Sequence, residues 1–436
     1  MALDTTLEYP LNAEGFAALL AQREEPAWVK AARQQAWDNF SQMAWPSQRS
    51  EEWMRTDIRL FHVDKFGIQG DHGAELPEST LAAGVDLAGA AVSLNGVSRH
   101  CRLDPEWARR GVLFGPLDVA CREHESLIRP HLMRRAFDPN YDRFAALHAA
   151  FWTGGNLLYV PRGVALEKPL HIQTVLGDGA AELGHTLVVL EEGAEATLMV
   201  EMRSTSPDAS GLHCGGVELL LNRGASLRFV GLQDWSQKVW YFSHQKALVG
   251  RDASLQWTVG GLGSRLAKVN QHVELVGPGA SSHVHGVIFA QNHQHLSYHT
   301  LQHHRAPQCV SDFLYKAALQ DHARTVWRGM IKVDPAAQKT DGYQRNDNLM
   351  LSRNSRADSI PGLEIEADDV RCTHGSTSGR VDEELIFYGR TRGLTRKETI
   401  RLIVSGFFQQ VFDRITIESV RESLGRAIAS RVREYE

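Results

Sequence analysis

A cysteine and a histidine two positions apart, Cys372 and His374, carry the most chemistry in this chain of 436 residues. If the stretch around them is extended, thiol and imidazole lie on one face of a strand. A soft thiolate beside a borderline imidazole suits iron or zinc. Spacing alone favours a plainer reading, a partly buried cysteine beside a hydrogen-bonded histidine. An iron–sulfur cluster takes about four protein ligands. This chain does not gather them locally, so a cluster here would be shared across an interface. Histidine is also concentrated between His272 and His304, where His283 and His285 flank Val284 and His293 and His295 flank Gln294. Pairs spaced at i and i+2 share a strand face and can bind zinc or iron, although a solvated polar face explains them as well.

Other chemistries lack their apparatus. There is no GxxxxGK[ST] phosphate loop, so the chain is expected to bind no nucleotide. HExxH, GxSxG and a helix-opening GxGxxG are missing too, and the chain reads as a non-catalytic component. Glu364 and Glu366, or more loosely Asp178 and Glu182, have the spacing of paired carboxylates on a strand, as a carbohydrate-cleaving solenoid would need. Such pairs are common on any strand surface.

The elements that must position these residues fall into three regions: 1–145, helical and mixed; 146–376, a β-solenoid core; and 377–436, helical. From Ala13 to about Met43, apolar residues recur at helical intervals and Pro26 separates two helices. Residues 57–145 are irregular. In the middle region a turn motif repeats: Leu190–Ala194, Leu221–Ala225, Val249–Ala253 and Val276–Ala280, with Gly or Asp just before each alanine. The alanines are 31, 28 and 27 residues apart, the period of stacked solenoid turns. A fifth copy, Leu319–Ala323, arrives late and predicts an insertion before it.

After each turn the chain alternates with period two. Ala196, Leu198 and Val200 are expected inward, as are Leu227 and Phe229, then Leu255, Trp257 and Val259. Continuing the register puts Ser282, Val284 and Ile288 inward and His283 and His285 outward. The fold class is therefore mainly β, a solenoid between helical ends. In the last region Thr395-Arg-Lys-Glu398 is a capping box. Behind it Ile400, Ile403, Val404, Phe407, Phe408, Val411, Phe412 and Ile415 form a wide apolar stripe, to be buried on the solenoid, on a partner, or on both by different faces.

Composition narrows the class. The chain is 43% hydrophobic and 23% charged, with a net charge of −5, which argues against a general nucleic-acid binder. No apolar run reaches the roughly 18–20 residues of a membrane span. Met1–Pro10 has two acids and no base, unlike a signal or transit peptide. The five cysteines are scattered and odd in number, fitting reduced thiols in a cytoplasmic protein.

Longer stretches around the Cys–His pair resemble a known family. Asn348–Thr395, with ADDVRCTHG at Ala367–Gly375, is similar to the SufB/SufD family of iron–sulfur cluster assembly proteins, and the ADDVxCxHG core to its SufD branch. GMIKVDPAAQKTDGYQ (Gly329–Gln344), His304–Lys316 with Ser311, LLYVPRGVALEKPL (Leu157–Leu170) and Pro46–Thr56 with Glu51-Glu52-Trp53 match as well. The resemblance implies a right-handed parallel β-helix flanked by helical regions. It implies pairing with SufB through the β-helices and with the SufC ATPase through the C-terminal helices, on a transient cluster or iron shared with SufB. His374 carries over as the interfacial ligand or iron-handling residue and Cys372 as its neighbour. The Thr395–Arg414 helix, with Phe407, Phe408 and Val411, carries over as part of the ATPase-docking region. Cys101, Cys121 and Cys214 fall outside the matched motifs and read as structural. A free solenoid edge also suits a homodimer of the isolated chain.

Overall fold

A computed structural model describes residues 9–69 and 73–433; apart from Tyr9 and Pro10, the acidic Met1–Pro10 segment lies outside the described residues. The core is a β-solenoid with two parallel sheets as walls. One wall stacks strands from Gly184–Leu190 through Ser210–Leu221, Lys238–Val249, Leu266–Leu275, His295–His304 and Arg324–Val333 to Arg356–Ile365. The other runs from Leu170–Leu176 through Glu195–Ser204, Ser226–Asp234, Ser254–Gly261, Ser281–Ala290, Val310–Leu319 and Thr340–Met350 to Val370–Arg380.

Register holds from rung to rung, so inward residues form columns. Ala196, Leu227, Leu255, Ser282, Ser311, Gly342 and Cys372 make one column. Leu198, Phe229, Trp257, Val284, Phe313, Gln344 and His374 make the next. The apolar members of both columns, with Val200, Val259 and Ile288, are buried in one continuous core, as the alternation predicts.

The turns explain the repeat. Backbone N–H groups of Ser226, Ser254, Ser281, Val310 and Asp341 donate to the carbonyls of Ala194, Ala225, Ala253, Ala280 and Cys309, tying each corner to the next. The residue before each corner position is left-handed: Gly193, Gly224, Asp252, Gly279, Gln308 and Lys339 have φ between 54° and 74°. Here the structure corrects the sequence reading, because there is no insertion before a fifth copy. The fifth rung arrives on time with Cys309 in the alanine slot and Gln308 in the Gly/Asp slot. Leu319–Ala323 belongs to the opposite corner, between Val310–Leu319 and Arg324–Val333.

The two ends of the solenoid differ. At the N-terminal end the hairpin Gly89–Leu94/Val97–Leu103, inside the stretch read as irregular, extends the second wall by pairing with Leu170–Leu176. Helices Ala13–Gln22 and Ala27–Gln42 flank Pro26, as expected. Arg33, fully buried, holds them in place by pairing with Glu25 at 2.7 Å and donating to the carbonyls of Ala150 and Trp152.

Two buried glutamates on the outer faces of the walls anchor this N-terminal region. Glu201 accepts from the Ser79 hydroxyl and the Thr80 and Leu81 N–H groups. Burial opposes its ionisation, yet these bonds and His171 outweigh it and hold the carboxyl at about 2. Glu218 accepts from the N–H groups of Met133, Ala136 and Phe137.

At the C-terminal end, helices Glu383–Thr391, Arg396–Phe412 and Glu418–Arg431 fold back along the second wall. The Thr395/Glu398 capping box is present. Ile400, Val404, Phe408, Val411 and Phe412 bury against Val287, Phe289, Leu314 and Ala318, the outward residues of the wall.

Because the Cys309 slot is an alanine in four neighbouring turns, Cys309→Ala is expected to cost less than about 1.5 kcal/mol in denaturant unfolding of the full chain. Trp257→Ala, which empties the lumen, is expected to cost about 3–5 kcal/mol. Comparable losses for the two variants would contradict the corner assignment.

Candidate functional site

The solenoid is closed at its N-terminal end and open at the other. Arg356–Ile365 and Val370–Arg380 are the last strands of their walls, and each leaves one backbone edge unpaired among the described residues. Cys372 and His374 sit on Val370–Arg380 above Gly342 and Gln344, on the row that the earlier rungs turn into the lumen. They therefore share one face of the strand, at the mouth of the solenoid.

Their surroundings differ. Cys372 is half-buried and packs against the small cluster of Ile331, Val333, Ala337 and Ala367. Burial pushes its thiol above the ordinary cysteine range, partly offset by a backbone contact from Gly342. A Cβ on Gly342 would stand 3.3 Å from the Cys372 sulfur, so the glycine below the thiol leaves it room. His374 is exposed.

The other sulfurs lie apart from this rung. Cys121, Cys214 and Cys309 are buried, and burial raises each thiol; Cys101 is exposed on Val97–Leu103 in the N-terminal region. Among the described residues no group of three or more His, Cys, Asp or Glu side chains is placed to hold a metal ion. Cys372 and His374 are thus two potential donors at an open mouth, fewer than the four protein ligands that a cluster or a structural zinc usually takes.

His283 and His285 both point away from the lumen, as the register predicts, but only His283 is partly exposed. His285 is only 5% exposed beneath the C-terminal helices, and burial, with the nearby Arg414 charge, pushes its pKa down to about 3. Its neighbour His283 faces Asp312 on the next rung, which pairs with Arg414 at 2.8 Å. This pair lies at a helix–solenoid seam. Of the carboxylates considered for glycoside chemistry, Glu364 pairs with Lys332, Asp178 accepts from Ser210, and Glu182 is buried beside His213.

The helical stripe also divides. Phe408 and Val411 are fully buried, and Phe407 is partly buried with the Lys316 ammonium 4.8 Å from its ring. These residues fix the helix on the solenoid and leave little surface for a partner. The apolar side chains offered outward are Leu385, Phe387, Tyr388 and Leu402, each more than half exposed. They stand on a braced hairpin: Arg396 pairs with Glu383, and Gly389 lets Thr399 approach so closely that a Cβ there would lie 2.5 Å from it. Leu385–Tyr388 is a run of four apolar residues on a short helix with an acidic first turn. That run is the sequence signal for an outward patch, masked by the longer apolar stripe that follows it.

The Glu51-Glu52-Trp53 segment also acquires a physical role. Glu51 pairs with Arg328 at 2.7 Å and Glu52 accepts from Tyr141 at 2.8 Å, while the Lys268 ammonium stands 5.5 Å from the Trp53 ring. The segment ties the N-terminal region to the next-to-last strand of the first wall.

Comparison with known proteins agrees with this architecture. The family model for the SUF system FeS cluster assembly SufBD core domain matches residues 173–407, and the model for the SufBD protein N-terminal region matches residues 16–172. Iron-sulfur cluster assembly SufBD family proteins of Mycobacterium leprae and Mycobacterium tuberculosis are each 35% identical over 296 residues. That is 66% of this chain and 74% and 73% of theirs. One from Staphylococcus epidermidis is 26% identical over 397 residues, 90% of this chain and 83% of its own length. The chain belongs to the SufBD family of the SUF iron–sulfur cluster assembly system.

In the folded chain, thiol alkylation mapped by mass spectrometry is expected at Cys101 and Cys372. Cys121, Cys214 and Cys309 should lag by about tenfold or more until the protein unfolds. Rapid labelling of Cys309 would contradict its place in the corner column.

Proposed function

We propose that this chain is the SufD-type subunit of the assembly machinery, a non-catalytic scaffold that works in the cytoplasm. In this reading it pairs with SufB through the open end of the solenoid, and its C-terminal helices dock the SufC ATPase. Cys372 and His374 help to acquire iron and to complete a nascent cluster held mainly by SufB. The cluster is cargo, assembled at the interface and passed on, and nucleotide binds only to the ATPase.

The observation that carries this reading is the terminal rung. One thiol and one imidazole face the mouth of an otherwise packed solenoid, beside two strand edges unpaired among the described residues. Two donors fall short of a cluster's usual ligand set, which favours a shared site. The same shortage weighs against a SufB-like chain that holds the cluster on its own thiolates, since three of the five cysteines are buried elsewhere. The outward Leu385, Phe387, Tyr388 and Leu402 support ATPase docking, because exposed apolar patches on braced elements mark protein contacts. ATP-driven approach of two ATPase subunits would strain both C-terminal regions and shift the solenoid interface between closed and open states. To move such an equilibrium from mostly closed to mostly open takes about 5.5 kcal/mol of preference for one state.

The test is co-expression with SufB and SufC from the same host. Wild type is expected to give a three-component complex containing iron. His374→Ala should keep the complex and lose more than half of its iron, while Phe387→Ser with Tyr388→Ser should lose the ATPase and keep SufB. Unchanged iron in His374→Ala would remove this residue from the chemistry and leave a purely structural partner of SufB.

A further inference from the structure

Glu218 has a contact beyond the loop it anchors. It ends a buried chain of polar groups linking helix Arg143–Phe151 to strands Gly184–Leu190 and Ser210–Leu221. His148 Nδ1 is 2.8 Å from the Cys214 carbonyl oxygen, His148 Nε2 is 2.9 Å from His185 Nδ1, and His185 Nε2 is 3.0 Å from Glu218 Oε1. All three side chains are fully buried.

These contacts can be counted in protons. Each of the three needs one hydrogen, since two bare lone pairs at such distances repel. A carbonyl oxygen and a carboxylate, the two ends of the chain, only accept. Two neutral imidazoles bring one hydrogen each, which leaves one contact without any. We infer that the array is a proton-binding site, holding one proton beyond those of two neutral histidines and a carboxylate, shared between His185 and Glu218.

The surroundings say where that proton sits. Burial and the neighbouring His185 push His148 well below the ordinary histidine range, so it stays neutral. Its Nδ1–H donates to Cys214, and its Nε2 accepts from His185. Three backbone N–H groups already donate to the two oxygens of Glu218. An imidazolium at His185 paired with carboxylate at Glu218 satisfies every partner. The Phe137 ring packs against both imidazoles. Among the described residues, the other titratable groups around the array include the Cys214 thiol, which burial holds protonated, and His213, His244 and His131. His213 is matched to Glu182 and His244 to Asp142, while His131 lies toward Glu218.

The site makes docking of the N-terminal region a proton-linked event. Above pH of about 6.5 a free histidine is neutral and a free glutamate ionised, so forming the array takes up one proton. The docked state then weakens about tenfold per pH unit as pH rises, until the array itself releases its proton. Below that range both free histidines are charged, forming the array releases a proton, and the dependence reverses.

Neutron diffraction from deuterium-exchanged crystals of the full chain at a pD of about 8 reads the count directly. Three deuterons on the three contacts support the site; two overturn it. Glu218→Gln supplies the solution test. Its unfolding constant should depend on pH by about tenfold per unit less than wild type on the alkaline side. Equal slopes in a folded variant would overturn the proposal, and the neutron count stands whether or not the variant folds.

Discussion

Parallel backbone pairing in fixed register is the constraint on which the rest of this structure depends. Each rung hydrogen-bonds to the next over roughly ten residues without a slip from Glu195 to Arg380. A one-residue slip would turn every inward side chain outward, so the continuous lumen core and the left-handed corners specify a single alignment. That alignment carries a row of leucine, phenylalanine and tryptophan to Gln344 and His374 at the far end. The same geometry that buries Trp257 places His374 at the mouth.

The N-terminal region is held by a different physics. Glu201 and Glu218 are carboxylates buried between the walls and the loops over them, and a buried charge costs several kcal/mol unless fully hydrogen-bonded. Each meets that cost with backbone N–H groups from one loop. These bonds have directions and allow little sliding, so they set the register of the loops on the solenoid as strand pairing sets the register of the rungs. Met133 adopts a left-handed φ of 51° where its N–H reaches Glu218. A non-glycine residue in that conformation costs about 1–2 kcal/mol, which the carboxylate contact offsets.

Much of the fold could be read from the sequence because solenoids repeat themselves. The alanine corners, the period-two alternation and the Thr395 capping box are local signals, and each has its place in the structure. The fifth corner was missed because the geometry asks only for a small residue after a left-handed one, and Gln308-Cys309 meets that need without matching the motif. The burial of His285 has a related cause: its outward direction follows from the register, but its cover comes from helices more than a hundred residues later. The histidine–glutamate array left no local trace at all, since His148, His185 and Glu218 are brought together by tertiary packing alone.

The open end raises a physical difficulty that bears on the site. Two unpaired parallel edges are a template for indiscriminate pairing. Charges on the last strand, among them Arg371 and Arg380, counter this, because a wrong edge would have to desolvate them. In the proposed complex, a partner strand would have to match those charges and, in the same register, set its own donors opposite Cys372 and His374. Recognition of the partner and completion of a metal-binding set would then be one event. The half-buried state of Cys372 fits that coupling: its thiol is held in the protonated form by Ile331, Val333, Ala337 and Ala367 until a facing surface brings the charge that stabilises a thiolate.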